Sequence, residues 1–133
     1  MTQVWDRLYI GGIGDALELA ESNPFKVTTV MSLCREPIRI RRGDVNYLNF
    51  PVVETSPMPT RWLDPIIDAL FENIRWGKVL VASNGTSEAP VIAAAWMHTV
   101  GFKDFDAALA EIGKLHTIEP SPILLRSIRK AVR

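Results

Sequence analysis

Lys78-Val79-Leu80-Val81-Ala82-Ser83-Asn84-Gly85-Thr86-Ser87-Glu88-Ala89-Pro90-Val91-Ile92-Ala93-Ala94-Ala95-Trp96-Met97 is the stretch that decides the fold. Its first five residues form a short, continuously apolar run of the kind found at the centre of a sheet. A polar turn with Asn84-Gly85 follows. Pro90 suits the first turn of a helix, because proline lacks the N–H that such a turn leaves unbonded. The helix is expected to run to about Val100. A strand, a tight turn and a helix start in this order aim backbone N–H groups at one spot, and the helix dipole adds partial positive charge there. Residues 83–89 (Ser83, Asn84, Gly85, Thr86, Ser87, Glu88 and Ala89) therefore read as an anion cradle built from backbone. Many α/β proteins contain such a unit, and a plain connection is the alternative.

The same alternation continues outward. Residues 8–10 read as a strand ending at Gly11-Gly12, and residues 15–21 as a short helix stopped by Asn23-Pro24. Residues 27–33 and 46–53 are rich in β-branched and apolar residues and read as strands. Pro51 places the second of these near a sheet edge. Leu63, Ile66, Ile67, Leu70, Phe71 and Ile74 follow helical spacing, which predicts a helix from a Thr60 cap to about Trp76. Asp104 or Asp106 caps a further helix to about Leu115, and residues 122–132 form the last. Strands alternating with helices predict an α/β fold with a central, mostly parallel sheet flanked by helices.

With 133 residues the chain reads as one domain, 1–133, able to bury a real core. Fifteen basic and 15 acidic side chains give a formal net charge of zero, which excludes the basic excess of a non-specific nucleic-acid binder. The one cysteine, Cys34, excludes an intrachain disulfide and a cysteine-only zinc site, and it fits a reducing compartment. The longest apolar run is too short to span a bilayer, and the first residues show no secretory signal. The expectation is a cytoplasmic protein that binds neither membrane nor nucleic acid and needs no metal or other cofactor.

Taken together, these pieces resemble the compact dual-specificity phosphatases of the cysteine-dependent protein tyrosine phosphatase superfamily. Leu8-Tyr9-Ile10-Gly11-Gly12 with Asp15-Ala16 is similar to that family's opening strand and turn. Residues 27–34, Phe50-Pro51-Val52-Val53-Glu54, Lys78-Val79-Leu80-Val81 and residues 89–97 match the following segments in order. Asp106-Ala107-Ala108-Leu109 and Ile118-Glu119-Pro120-Ser121 match the last two. The family's loop reads His-Cys, five residues, then Arg and Ser or Thr. Its thiolate attacks phosphorus, its arginine grips two phosphate oxygens, and an aspartate on another loop protonates the leaving group.

This chain departs at those positions. Anchored on the strand, Ala82 stands for the histidine, Ser83 for the cysteine and Glu88 for the arginine, with four residues between Ser83 and Glu88. Anchored on the helix, five residues separate Ala82 from Glu88. Neither anchoring supplies a thiol or a guanidinium. Glu54 takes the general-acid position. A serine hydroxyl is un-ionised near neutral pH, and nothing in the sequence places His98 or His116 beside it. A unit charge pair at about 4 Å is worth roughly 4 kcal/mol at an effective dielectric near 20, and exchanging attraction for repulsion doubles the difference. Glu88 either turns back into the cradle or faces solvent.

The resemblance thus implies a phosphatase-like domain in which Ser83, Glu88 and Glu54 are non-functional, through a natural pseudophosphatase loop or a rebuilt one. Two alternatives stand beside it. One is residual phosphoester hydrolysis or phosphate binding through the loop amides. The other is an interaction module for a phosphoprotein or other protein partner.

The remaining candidates have plain readings. Cys34 ends a buried strand and behaves as a small apolar residue. Arg35, Arg39, Arg41 and Arg42 form a solvated segment or a basic rim for anionic partners, partly offset by Glu36 and Asp44. Arg126, Arg129, Lys130 and Arg133 suit the C-terminal end of a helix. Gly11-Gly12-Ile13-Gly14 is not a dinucleotide fingerprint, and Trp5, Trp62, Trp76 and Trp96 read as core and rim.

Overall fold

The computed structural model describes residues 1–52, 60–83, 87–101 and 104–132, with the side chains of 60–62 excepted. In chain order the elements are β1 (Thr2–Trp5), β2 (Leu8–Gly12), α1 (Ile13–Glu21), β3 (Val27–Ser32) and β4 (Asn46–Asn49). Then come α2 (Thr60–Ile74), β5 (Lys78–Ser83), α3 (Glu88–Thr99), α4 (Phe105–Leu115) and α5 (Pro122–Ala131). The sheet has five strands in the order β1-β2-β5-β3-β4. β1 is antiparallel to β2, and the other pairs are parallel. The apolar run at residues 78–82 is the central strand, as its composition predicts.

Strand periodicity sorts β5 between two cores. Val79 and Val81 join the core made with α2, α3, α4 and α5, whereas Leu80 and Ala82 join Ala16 and Leu19 of α1. All four are fully buried, which explains why this strand shows no polar alternation. α3 is buried at every position from Glu88 to Met97, so it is a core helix without a polar face. No helix among the described residues is long and apolar enough to cross a membrane.

The structure moves several expected boundaries. β1 is an addition to the sequence reading. Its hairpin turns at Asp6-Arg7, and Arg7 takes the positive φ that an Asn-Gly or Asp-Gly pair ordinarily marks. α1 begins at Ile13 rather than 15, because the Asp15 carboxylate caps the helix start from within and accepts from Gly12 N at 2.9 Å. β4 ends at Asn49 instead of 53. Phe50 N still donates to Ser32 O, but Pro51 has no N–H and the chain turns there, with Val52 N donating to Phe50 O. β4 is an edge strand, as Pro51 suggests. Phe71, on the helical stripe read from sequence, is 43% exposed, and its ring meets Trp96 edge-on with the centroids 4.4 Å apart. Asp104, not Asp106, caps α4, its Oδ1 accepting from Ala107 N at 2.8 Å. Asp106 instead pairs with Arg129 of α5 at 2.7 Å. Trp96 lies in the core and Trp76 on the rim, as read from sequence.

Candidate functional site

Parallel strands carry their carboxyl ends to one side of the sheet, the side on which ligands of open α/β folds bind. Here that end is defined by register. Gly12 of β2 lies opposite Ser83 of β5, Ser32 of β3 lies opposite Ala82, and Leu33 N donates to Ala82 O at 2.8 Å. Ser83 is thus the last residue of the central strand, and it is wholly buried.

The N-terminus of α3 returns to the same end. Ser87 holds the cap position and Glu88 opens the helix, with Ala89 and Pro90 completing its first turn. Glu88 is 6% exposed. The solvent-facing alternative for this carboxylate is therefore overturned: the side chain turns inward. A carboxylate so placed sits at the positive end of the α3 dipole, which compensates part of the cost of taking it out of water.

Ser87 does not cap its own helix with its side chain. Its Oγ accepts instead from Ser121 N at 2.8 Å. Ser121 in turn caps α5, accepting from Leu124 N at 3.4 Å through its own hydroxyl. The sequence reading of the site missed this tie, although Ser121-Pro122 is a recognisable helix start.

Of the residues expected in the site, the structure brings Ser83, Ser87, Glu88 and Ala89 together at one end of the sheet. Asn84, Gly85, Thr86 and Glu54 lie outside the described residues. Cys34 follows Leu33 at the carboxyl end of β3 and is buried in the core, as its apolar reading requires. The two histidines lie differently: His98 is at the far end of α3, whereas His116 is toward this end of the sheet but on its β1 edge, two strands from β5. His98 lies in the last turn of α3, about 15 Å along the axis from Glu88 at 1.5 Å per residue. His116 ends α4 with its Nδ1 3.1 Å from Thr2 Oγ1 of β1.

Three solved structures give the fold its context. Human DUSP28 superposes with a TM-score of 0.83 at 22% identity, covering 98% of this chain and 94% of its own. A mouse protein described as a dual specificity phosphatase and crystallised with zinc tungstate superposes at 0.86 with 21% identity, covering 98% and 85%. The human tyrosine phosphatase-like serine/threonine/tyrosine-interacting protein superposes at 0.82 with 18% identity, covering 98% and 93%. No protein-family model matches the chain, and no curated protein sequence matches it. The chain has the fold of the compact dual-specificity phosphatases.

Proposed function

We propose that this chain is a phosphatase-fold domain without phosphoryl-transfer chemistry, serving as a binding module. One observation carries the reading: Glu88, in the first turn of α3 beside the end of the central strand, is a buried carboxylate where the fold's chemistry calls for a cation. Ser83 supports it, since a serine hydroxyl is un-ionised near neutral pH and a far weaker nucleophile than the thiolate the family uses. Glu88 acts as a built-in anion that takes the positive end of α3 and keeps an incoming phosphate from it. At about 4 Å and an effective dielectric near 20, repulsion between two unit charges amounts to roughly 4 kcal/mol. The similarly folded human protein is named for interaction and only as phosphatase-like, which is the role proposed for this chain.

The test is turnover of an aryl phosphate by purified protein. The expected result is no rate above that of the Ser83→Ala variant. A steady rate that Ser83→Ala abolishes would overturn the reading. Thermal shift with tungstate gives a second readout, and the unmodified chain is expected to show none.

A further inference from the structure

Arg35, Arg39, Arg41 and Arg42 take no part in the chemistry above. They lie on the crossover 33–45 from β3 to β4, which buries Ile38 and Val45 in the core on the α1 side of the sheet. Four arginines against Glu36 and Asp44 leave this segment two positive charges in excess. Asp44 is engaged, its Oδ1 2.8 Å from Arg42 Nε. Arg35, Arg39 and Arg41 are exposed, and among the described residues no carboxylate pairs with them.

Arg41 is held rigidly beside β4. Its Nε donates to Ile38 O at 2.6 Å, and its guanidinium carbon stands 5.2 Å from the centroid of the Tyr47 ring. Arg42 N donates to the Tyr47 hydroxyl at 2.9 Å, which fixes the ring. A guanidinium stacked in this way has lost most of its rotamer freedom before any partner arrives, and its terminal N–H groups remain in a planar fork suited to a carboxylate.

The strand it flanks is the last of the sheet, with no partner strand on its outer side among the described residues. Phe50 N donates to Ser32 O, and Ser32 Oγ donates to Leu48 O, with Ser32 opposite Asn49 in the parallel ladder. The alternate residues, Tyr47 and Asn49, therefore turn their backbone N–H and C=O away from β3. No strand among the described residues pairs with that edge. The two faces differ: Tyr47 packs on the α1 side with Arg41, whereas Leu48 and Phe50 are only partly buried against the opposite core.

We propose that the outer edge of β4 receives an extended acidic segment of a partner protein as an added strand. Its backbone bonds to Tyr47 and Asn49. Its carboxylates fall on the α1 side against Arg41, in the positive field of Arg35 and Arg39, and apolar residues alternate with them to cover Leu48 and Phe50. The arginines give the edge its selectivity. A second copy of this chain would bring like charges together, which guards against self-pairing, while an acidic strand meets complementary charge. The surface does not rest on the loop reading: phosphatase turnover would leave it standing.

The experiment uses the full chain and a short fluorescein-labelled peptide alternating Glu and Val, with a Lys–Val peptide as control. Fluorescence anisotropy should show binding of the Glu–Val peptide alone, weakened at least about tenfold by the Arg39→Glu/Arg41→Glu pair. Arg35→Glu/Arg39→Glu, which alters exposed side chains only, should weaken it as well and covers the case in which Arg41→Glu disturbs the crossover. Amide exchange should slow at Tyr47 and Asn49 on binding. No binding, binding indifferent to both charge reversals, protection confined to other amides, or tighter binding of a single-stranded DNA oligomer would each overturn the proposal.

Discussion

Ser121 N donates to Ser87 Oγ at 2.8 Å, so the start of α5 is bonded to the start of α3 across 34 residues of sequence. The bond ties the segment before α5 to the loop end of the site. Ser87 is 1% exposed, and without its hydroxyl this bond from the Ser121 N–H is lost. Ser87→Ala should cost about 1–2 kcal/mol of stability and lower Tm by several degrees. The specific readout is hydrogen exchange, which should accelerate at the Ser121 amide and leave the β5 amides unchanged. An unchanged Ser121 rate would show that the bond contributes nothing.

The inward turn of Glu88 predicts a reciprocal effect of charge on anion binding. If the carboxylate fills the positive end of α3, Glu88→Gln removes the dipole interaction and should cost about 1 kcal/mol in the absence of anion. The same variant should then be stabilised by millimolar tungstate, recovering the loss by linkage, while the unmodified chain is indifferent. Equal responses of the two proteins in thermal shift would show that Glu88 is not the obstacle.

How much of this was legible beforehand follows from what each residue answers to. Val79, Leu80, Val81 and Ala82 are apolar because they face cores on both sides, so the centre of the sheet is written in four adjacent letters. The hairpin of β1 is not written at all, since Arg7 adopts a positive φ under tertiary constraint where glycine or asparagine would have announced it. Phe71 shows the limit of helical spacing: it lies on the apolar stripe of α2, yet its ring stays 43% exposed beside Trp96. In the site, the identities of Ser83 and Glu88 are plain from the chain. The inward direction of Glu88 is not, because a carboxylate in a first helical turn is favourable whether it faces solvent or core. The Ser87–Ser121 bond joins residues that no local period relates.

Gly77 marks a close approach that a side chain cannot share. A Cβ placed there would stand 2.5 Å from Thr28 Oγ1 and 2.6 Å from Thr28 Cγ2. Thr28 opens the β3 side of this contact, where its hydroxyl also donates to Lys78 O at 3.2 Å. Gly77→Ala should therefore destabilise by about 1–3 kcal/mol through overpacking. Thr28→Ala removes both crowding atoms, so the double variant should be more stable than the two single losses add up to. Denaturant midpoints for the four proteins check this, and strict additivity would contradict the contact.

Restoring chemistry to the loop tests the functional reading from the other direction. Phosphoryl transfer in this fold needs a thiolate, a cationic clamp and a loop long enough to place both around one phosphorus. The chain has Ser83 and Glu88 at the two ends of its loop, with four residues between them. Ser83→Cys alone supplies the attacker, but the carboxylate still repels the substrate. Glu88→Arg alone supplies the clamp without a nucleophile. Both substitutions together leave the loop one residue short of the family's spacing. Each of these proteins should remain silent with an aryl phosphate. Ser83→Cys and Glu88→Arg combined with a one-residue insertion between them should turn over at least about tenfold faster than the same loop carrying serine, because the three effects act as a unit and not as a sum. Activity in Ser83→Cys by itself would show that neither the charge at position 88 nor the loop length stands in the way.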